Sequence, residues 1–245
     1  MPNQVRNRKP KQQDLPFKRW GGKRKGAGRK PLGKRPGTSH RTRPAVTRHT
    51  PVHVTLRLHD HVWNLRTKRC FRPIRSAIDQ ARERFGCRIV HYAVQRNHIH
   101  IIAEASDDKA LSRAMQGLCV RLARRLNKVM GKRGQVFADR YHDRVLKTPQ
   151  QTRAALSYVL RNDQKHGFNG KGRRTARAVM DPFSTAPTFD GWRQPICVHP
   201  PPWLEAHHGA KPRCWLLLQG WKKKGGLLDP RVVPGRSKTP SNTAS

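Results

Sequence analysis

The chain has 245 residues, of which 53 are Lys or Arg and only 14 are Asp or Glu, a formal net charge of +39. That excess points to a polyanionic partner, nucleic acid first, and 35% hydrophobic residues are too few to fill a core along the whole length. No apolar run reaches the roughly 20 residues that span a bilayer, the N-terminus lacks the apolar stretch of a secretion signal, and the five cysteines contain no C-x-x-C pair. These features argue against membrane-embedded, secreted, disulfide-scaffolded and cysteine-rich zinc classes, and the expected place is the cytoplasm, in association with the nucleoid.

The charge divides the chain into three. Residues 1–50 carry +15 with a single acid, Asp14, and almost no apolar periodicity, which reads as a disordered basic arm. The run from Gly21 to Pro31 has no G-K-[ST] after its glycines, so it is not a phosphate-binding loop, and no nucleotide cofactor is expected. Its end, Gly26–Pro31, loosely matches a minor-groove hook. A tail that neutralises phosphates through Lys23, Arg24, Lys25, Arg29 and Lys30 without reading sequence is the favoured reading. Residues 51–167 carry another +15 but show clear periodicity. Residues 168–245 carry +9 with frequent Pro and Gly and scattered tryptophans, and read as an irregular extension, either packed on the core or partly a tail.

Within the middle segment, Val52–Leu58 alternates with period two and predicts a half-buried strand. Pro73 is expected to open a helix with Ile74, Ile78, Ala81 and Phe85 on one stripe and Gly86 as its stop. Arg88–Gln95 and His98–Ala105 predict two strands joined by a tight Arg96-Asn97 turn. Ser106, Asp107 and Asp108 then start a helix striped with Leu111, Met115, Leu118, Leu122 and Val129. Tyr141–Lys147 predicts a fourth strand. Thr148-Pro149-Gln150-Gln151 is a capping box that opens a last helix, which Gly167 closes. The order β-α-β-β-α-β-α predicts an α+β fold: a ferredoxin-like split βαβ antiparallel sheet with an added C-terminal helix.

His98-Ile99-His100 lies inside a predicted strand, so both imidazoles share one face and Ile99 and Ile101 the other. Two same-face imidazoles can grip a divalent ion, although two polar residues on a solvated face read equally well. Tyr158 and Asn162 stand four apart on the last predicted helix, with Tyr158 nearly opposite the stripe Leu156, Val159 and Leu160. The Asn162 amide could complete a metal site, with Tyr158 as nucleophile beside it. Glu104 shares the histidine face as an extra ligand or a solvated acid. His53, Thr55 and Arg57 share a face of the first strand that borders the same site.

The stretch Tyr92–Gly167 resembles the HUH single-tyrosine transposases, in particular the bacterial REP-associated tyrosine transposases. Three blocks carry the resemblance: Asn97-His98-Ile99-His100-Ile101-Ile102, Arg140-Tyr141-His142-Asp143-Arg144-Val145-Leu146, and Tyr158-Val159-Leu160-Arg161-Asn162-Asp163-Gln164-Lys165-His166-Gly167. Gln95-Arg96-Asn97 stands where the family commonly has an apolar Met-Pro turn. The resemblance implies a metal-dependent endonuclease and strand transferase acting on single-stranded or hairpin DNA. By it, His98, His100 and Asn162 bind Mg²⁺ or Mn²⁺, and Tyr158 attacks the scissile phosphate to leave a 5′-phosphotyrosine link and a free 3′-OH.

Tyr141 is the rival nucleophile, disfavoured because only Tyr158 has an Asn one turn on. Tyr141 is grouped instead with Arg140, His142 and Arg144 as a DNA-binding candidate. Arg57, Arg161 and Lys165 join that set. A homodimer is compatible with all of this. Competing readings are a non-catalytic DNA- or RNA-binding protein on the same sheet, and a domesticated relative that keeps the site. The predicted strands lack the aromatic pair that RNA-recognition sheets stack on bases.

Overall fold

A computed structural model of the chain describes residues 45–162, 178–205 and 207–232. Strand β1 (Val52–Arg57) forms where the alternation predicts it, with Val52, Val54 and Leu56 buried on one face. Helix α1 spans Lys68–Ala81 and starts five residues before Pro73, because the Thr67 side chain caps it by accepting from the Cys70 N–H. Pro73 therefore sits inside the helix, where its missing N–H costs one ladder bond. The longer helix buries Cys70 and Phe71 in line with Ile74, Ala77 and Ile78, which offsets that loss.

The expected continuation of α1 to Phe85 fails for a local reason. The chain leaves the helix at Arg82 and makes a short strand, β2 (Glu83–Arg84), paired with the start of β3 (Cys87–Val94). Phe85 (φ 56°) and Gly86 (φ 72°) form the two-residue turn between them, both left-handed as a tight hairpin demands. Phe85 is thus an exposed turn residue. β3 and β4 (His98–Ala105) pair antiparallel, with a bulge between Ile89 and His91 that lets Ile89 and Tyr92 both face the helices.

Helix α2 (Asp108–Met130) is capped by Asp107, whose carboxylate accepts from the Ala110 N–H at 2.8 Å, and ends at Gly131 (φ 64°). Its buried stripe continues through Leu126 and Met130, and Val129 packs only at the margin. Strand β5 (His142–Val145) is shorter than expected. Helix α3 (Pro149–Leu160) opens on Thr148, which accepts from the Gln151 N–H at 3.2 Å; Gln151 Oε1 in turn accepts from the Lys147 N–H rather than from Thr148.

The sheet runs β2-β3-β4-β1-β5, every neighbouring pair antiparallel, which is the expected α+β arrangement with an added hairpin strand. α1 and α2 pack on the face that carries Val54, Ile99 and Ile101. The opposite face, which the sequence left open, is covered in part. α3 lays Ala155, Leu156, Val159 and Leu160 on it, joined by Met180, Phe189, Leu217 and Trp221 from the C-terminal segment. In that segment β6 (Ala178–Met180) pairs in parallel with β7 (Ile196–Val198), and α4 (Trp215–Leu218) follows. No helix among the described residues is long and apolar enough to cross a membrane.

Long-range ties hold the segment to the sheet. The Val94 N–H donates to Phe183 O and the Thr185 N–H to Tyr92 O, both at 3.0 Å, pairing the part of the β3 edge that β2 does not reach. Gly209 runs so close to β3 that a Cβ there would meet the Val90 carbonyl oxygen at 1.7 Å, so only glycine fits. Glu104 on β4 accepts from the Arg213 N–H and, through Oε1, from the Cys214 N–H at 2.9 Å. Glu104 is therefore neither a ligand candidate nor a solvated acid, but the anchor of α4.

His91 belongs to the same lock, its Nδ1 3.2 Å from Thr185 Oγ1 and its ring edge-on to Phe189. Burial pushes its imidazole from 6.5 down to about 4, against an opposing pull from Asp190. The folded state thus refuses a proton that the unfolded chain accepts. The stabilisation is complete above pH 6.5 and is lost as the pH falls toward about 4. Urea midpoints taken at about pH 7 and about pH 4.5 should drop further for wild type than for His91→Leu.

Candidate active site

The alternation of β1 and β4 places two rows of polar side chains on the face opposite α1 and α2. By register Arg57 stands across from His98, Thr55 from His100, and His53 from Ile102. On the other side of β1, His142 pairs with Thr55 and Arg144 with His53. One sheet row thus reads His100–Thr55–His142, flanked by His98 and Arg57 on one side and by His53 and Arg144 on the other.

The imidazoles are held by their Nδ1 atoms. His98 Nδ1–H donates to Asn97 Oδ1 at 3.0 Å, which fixes the tautomer and leaves Nε2 with its lone pair. His100 Nδ1 lies 3.2 Å from His53 Nε2 and 3.1 Å from Thr55 Oγ1. Burial, and after it the Arg144 guanidinium, bring the His53 imidazole down to about 4. A neutral His53 can accept from His100 Nδ1–H, and in that tautomer His100 Nε2 carries the ring's in-plane lone pair. The rings of His98 and His100 meet edge to face at 4.8 Å.

Helix α3 brings Tyr158 onto this cluster. Its ring centroid is 5.1 Å from that of His100 and 5.8 Å from that of His53, edge to face in both cases. Asn162 does not follow on the same regular helix. α3 ends at Leu160, and Arg161 (φ −120°) turns the chain before Asn162 is reached. The Asn162 side chain is buried, and neither its Oδ1 nor its Nδ2 has a hydrogen-bond partner. Leaving a carboxamide in that state costs about 1–3 kcal/mol, which a bound ligand would return. Among the described residues no three His, Cys, Asp or Glu side chains gather as a metal site. A divalent cation here would rest on two imidazole nitrogens plus amide oxygen, a donor set that suits Mn²⁺ and Mg²⁺.

Residues 50–161 match the family model for IS200-like transposases. The matched residues take in the whole histidine face and Tyr158 and end one residue before Asn162. Among solved structures, the chain is similar to a REP-associated tyrosine transposase bound to a REP hairpin, at 17% identity over 54% of this chain and 76% of that one, with a TM-score of 0.44. It is also similar to a chain from Deinococcus radiodurans assigned to the transposases, at 16% identity over 50% of this chain and 92% of that one, with a TM-score of 0.31. No curated protein matches the chain.

The other candidates fall in several places. Arg57, His142 and Arg144 line the histidine face, His142 and Arg144 from the outermost strand and exposed. Arg140 is exposed just before β5. Tyr141 lies on the other side of the sheet, half-buried against the α2 core beside Met115 and Cys119. Arg161 is buried, with Nη1 3.8 Å from Met180 Sδ, so it is an internal residue rather than one laid on the surface. Lys165, Lys23, Arg24, Lys25, Arg29 and Lys30 lie outside the described residues, as does the expected helix stop at Gly167. Sequence reasoning missed Gln95. It is buried beside His98 with both amide atoms unpartnered, and the signal was there: it flanks a two-residue turn directly opposite that histidine.

Proposed function

We propose that this chain is a transposase that cuts and rejoins single-stranded or hairpin DNA with Tyr158 as nucleophile, at a site where His98, His100 and Asn162 hold Mg²⁺ or Mn²⁺. The observation that carries the reading is the seating of the Tyr158 ring against His100, in a cluster that also contains a second Nδ1-anchored imidazole. Tyr158 Oη attacks the scissile phosphorus, the P–O3′ bond breaks, and the new P–Oη bond keeps the 5′ end on the protein. The phenolic proton given up at Oη is matched by one taken up at the leaving 3′ oxygen. Running the exchange backwards with a different 3′-OH joins strands without an external energy source. When bound, the cation supplies Lewis-acid polarisation of the phosphodiester. His53 and Thr55 keep His100 in its tautomer, while Arg57, His142 and Arg144 present positive charge or donors to the backbone phosphates on either side.

The test is a denaturing gel of the full chain incubated with labelled hairpin and linear oligonucleotides in Mn²⁺ or in EDTA. A protein-linked 5′ product that forms in Mn²⁺ and is absent in EDTA is the expected result. Tight DNA binding with no adduct on any oligonucleotide in Mn²⁺ would overturn the reading in favour of a non-catalytic binding protein.

A further inference from the structure

We propose that the carboxamide oxygen of Gln95 is an additional ligand of the divalent cation, beside His98, His100 and Asn162; this rests on the metal site of the preceding reading. Val94 packs in the core beneath α1 and α2, so alternation turns Gln95 to the opposite face, the one that carries the histidines. The Gln95 N–H donates to the His98 carbonyl at 2.9 Å across the hairpin, which makes the two residues direct cross-strand neighbours with Cβ atoms about 5 Å apart. Gln95 is 1% exposed, and neither Oε1 nor Nε2 has a hydrogen-bond partner.

Among the described residues only Gln95 and Asn162 have a whole side-chain amide buried and unpaired. One stands beside His98. The other comes four residues after the tyrosine whose ring touches His100. A buried amide left unsatisfied by the protein is a rare arrangement that calls for a missing partner. A partner for the two amide oxygens must accept a lone pair in a site that already offers two imidazole nitrogens, which a hard divalent cation does, while the amide N–H groups remain to donate to a phosphate or water. Two imidazoles and two amide oxygens would hold such a cation and still leave it room to polarise a phosphate oxygen. All four ligands are neutral, so the full charge of the cation stays available to the phosphodiester.

The test is Mn²⁺ binding to the full chain without DNA, read from the electron paramagnetic resonance signal of free Mn²⁺, alongside thermal melts of the metal-free protein. Gln95→Met keeps the length and apolar stem but has no oxygen. It should weaken Mn²⁺ binding about ten-fold while raising the metal-free Tm, because the unpaired amide is gone. Gln95→Glu keeps the oxygen, adds a charge, and should bind Mn²⁺ more tightly than wild type. If Gln95→Met binds as wild type while His98→Ala loses the metal, the Gln95 proposal falls and the histidine site stands. If His98→Ala also binds as wild type, the metal-site reading itself fails. Should Gln95→Met not fold, the Glu variant decides, and binding no tighter than wild type overturns the proposal.

Discussion

Tyr158→Phe should abolish the covalent adduct and lower strand cleavage by a factor on the order of 10⁴ or more, with oligonucleotide affinity unchanged. The substitution removes one oxygen and nothing else. The ring keeps its edge-to-face contacts with His100 and His53, so the sheet face and the imidazole orientations survive. Loss of the adduct therefore reports on the nucleophile rather than on folding, which a circular dichroism melt of the variant would verify. The paired control is Tyr141→Phe. Tyr141 packs toward α2, on the far side of the sheet from His98 and His100, and its hydroxyl has no route to a phosphate held on the histidine face. Its variant should form adduct at the wild-type level. An adduct that persists in Tyr158→Phe and vanishes in Tyr141→Phe would move the chemistry across the sheet and undo the assignment.

The parts of the site that were legible in the sequence are those set by period-two alternation. His53, Thr55 and Arg57 on one strand, and His98 and His100 on another, meet on one face because both strands bury their alternate residues under the same two helices. The Thr148 cap was legible because its signal is local, within four residues. Where local rules misled, longer-range burial had outweighed them. Pro73 reads as a helix opener, yet burying Cys70 and Phe71 one turn earlier extends α1 past it. Phe85 fits a helical stripe, yet Gly86 permits a hairpin turn that moves it into solvent. The break at Arg161 has no signature in composition, and it converts a one-turn Tyr158–Asn162 pair into two separately positioned groups. Least legible was the cover over the histidine face. Glu104 reaches Arg213 and Cys214 across more than a hundred residues with no periodic pattern to announce the contact, and on the helix side of the sheet Tyr92 reaches His207 over a similar span.

The strongest of these distant ties makes the second large prediction. Asp181 and Arg66 form a bidentate pair, both N–O distances 2.7 Å, with side chains 2% and 11% exposed. Asp181 Oδ1 also accepts from the Phe183 N–H at 3.0 Å, next to the residues that close the β3 edge. Asp181→Ala takes the paired carboxylate from a largely buried guanidinium that also donates to the Val94 carbonyl oxygen at 2.9 Å. Breaking such a pair from one side costs about 3–5 kcal/mol, equivalent to a fall in Tm of roughly 10 °C for a chain of this size. Limited proteolysis should then cut first within 178–232, since the tie that fails belongs to that segment. The double variant Arg66→Met/Asp181→Leu separates charge from shape. If the penalty is mostly an uncompensated buried cation, removing both charges should recover most of the lost Tm. If the double variant melts as low as the single one, the stabilisation resides in the Phe183 N–H and the β3 edge it organises. The cover over the histidine face would then be held by backbone pairing rather than by the ion pair.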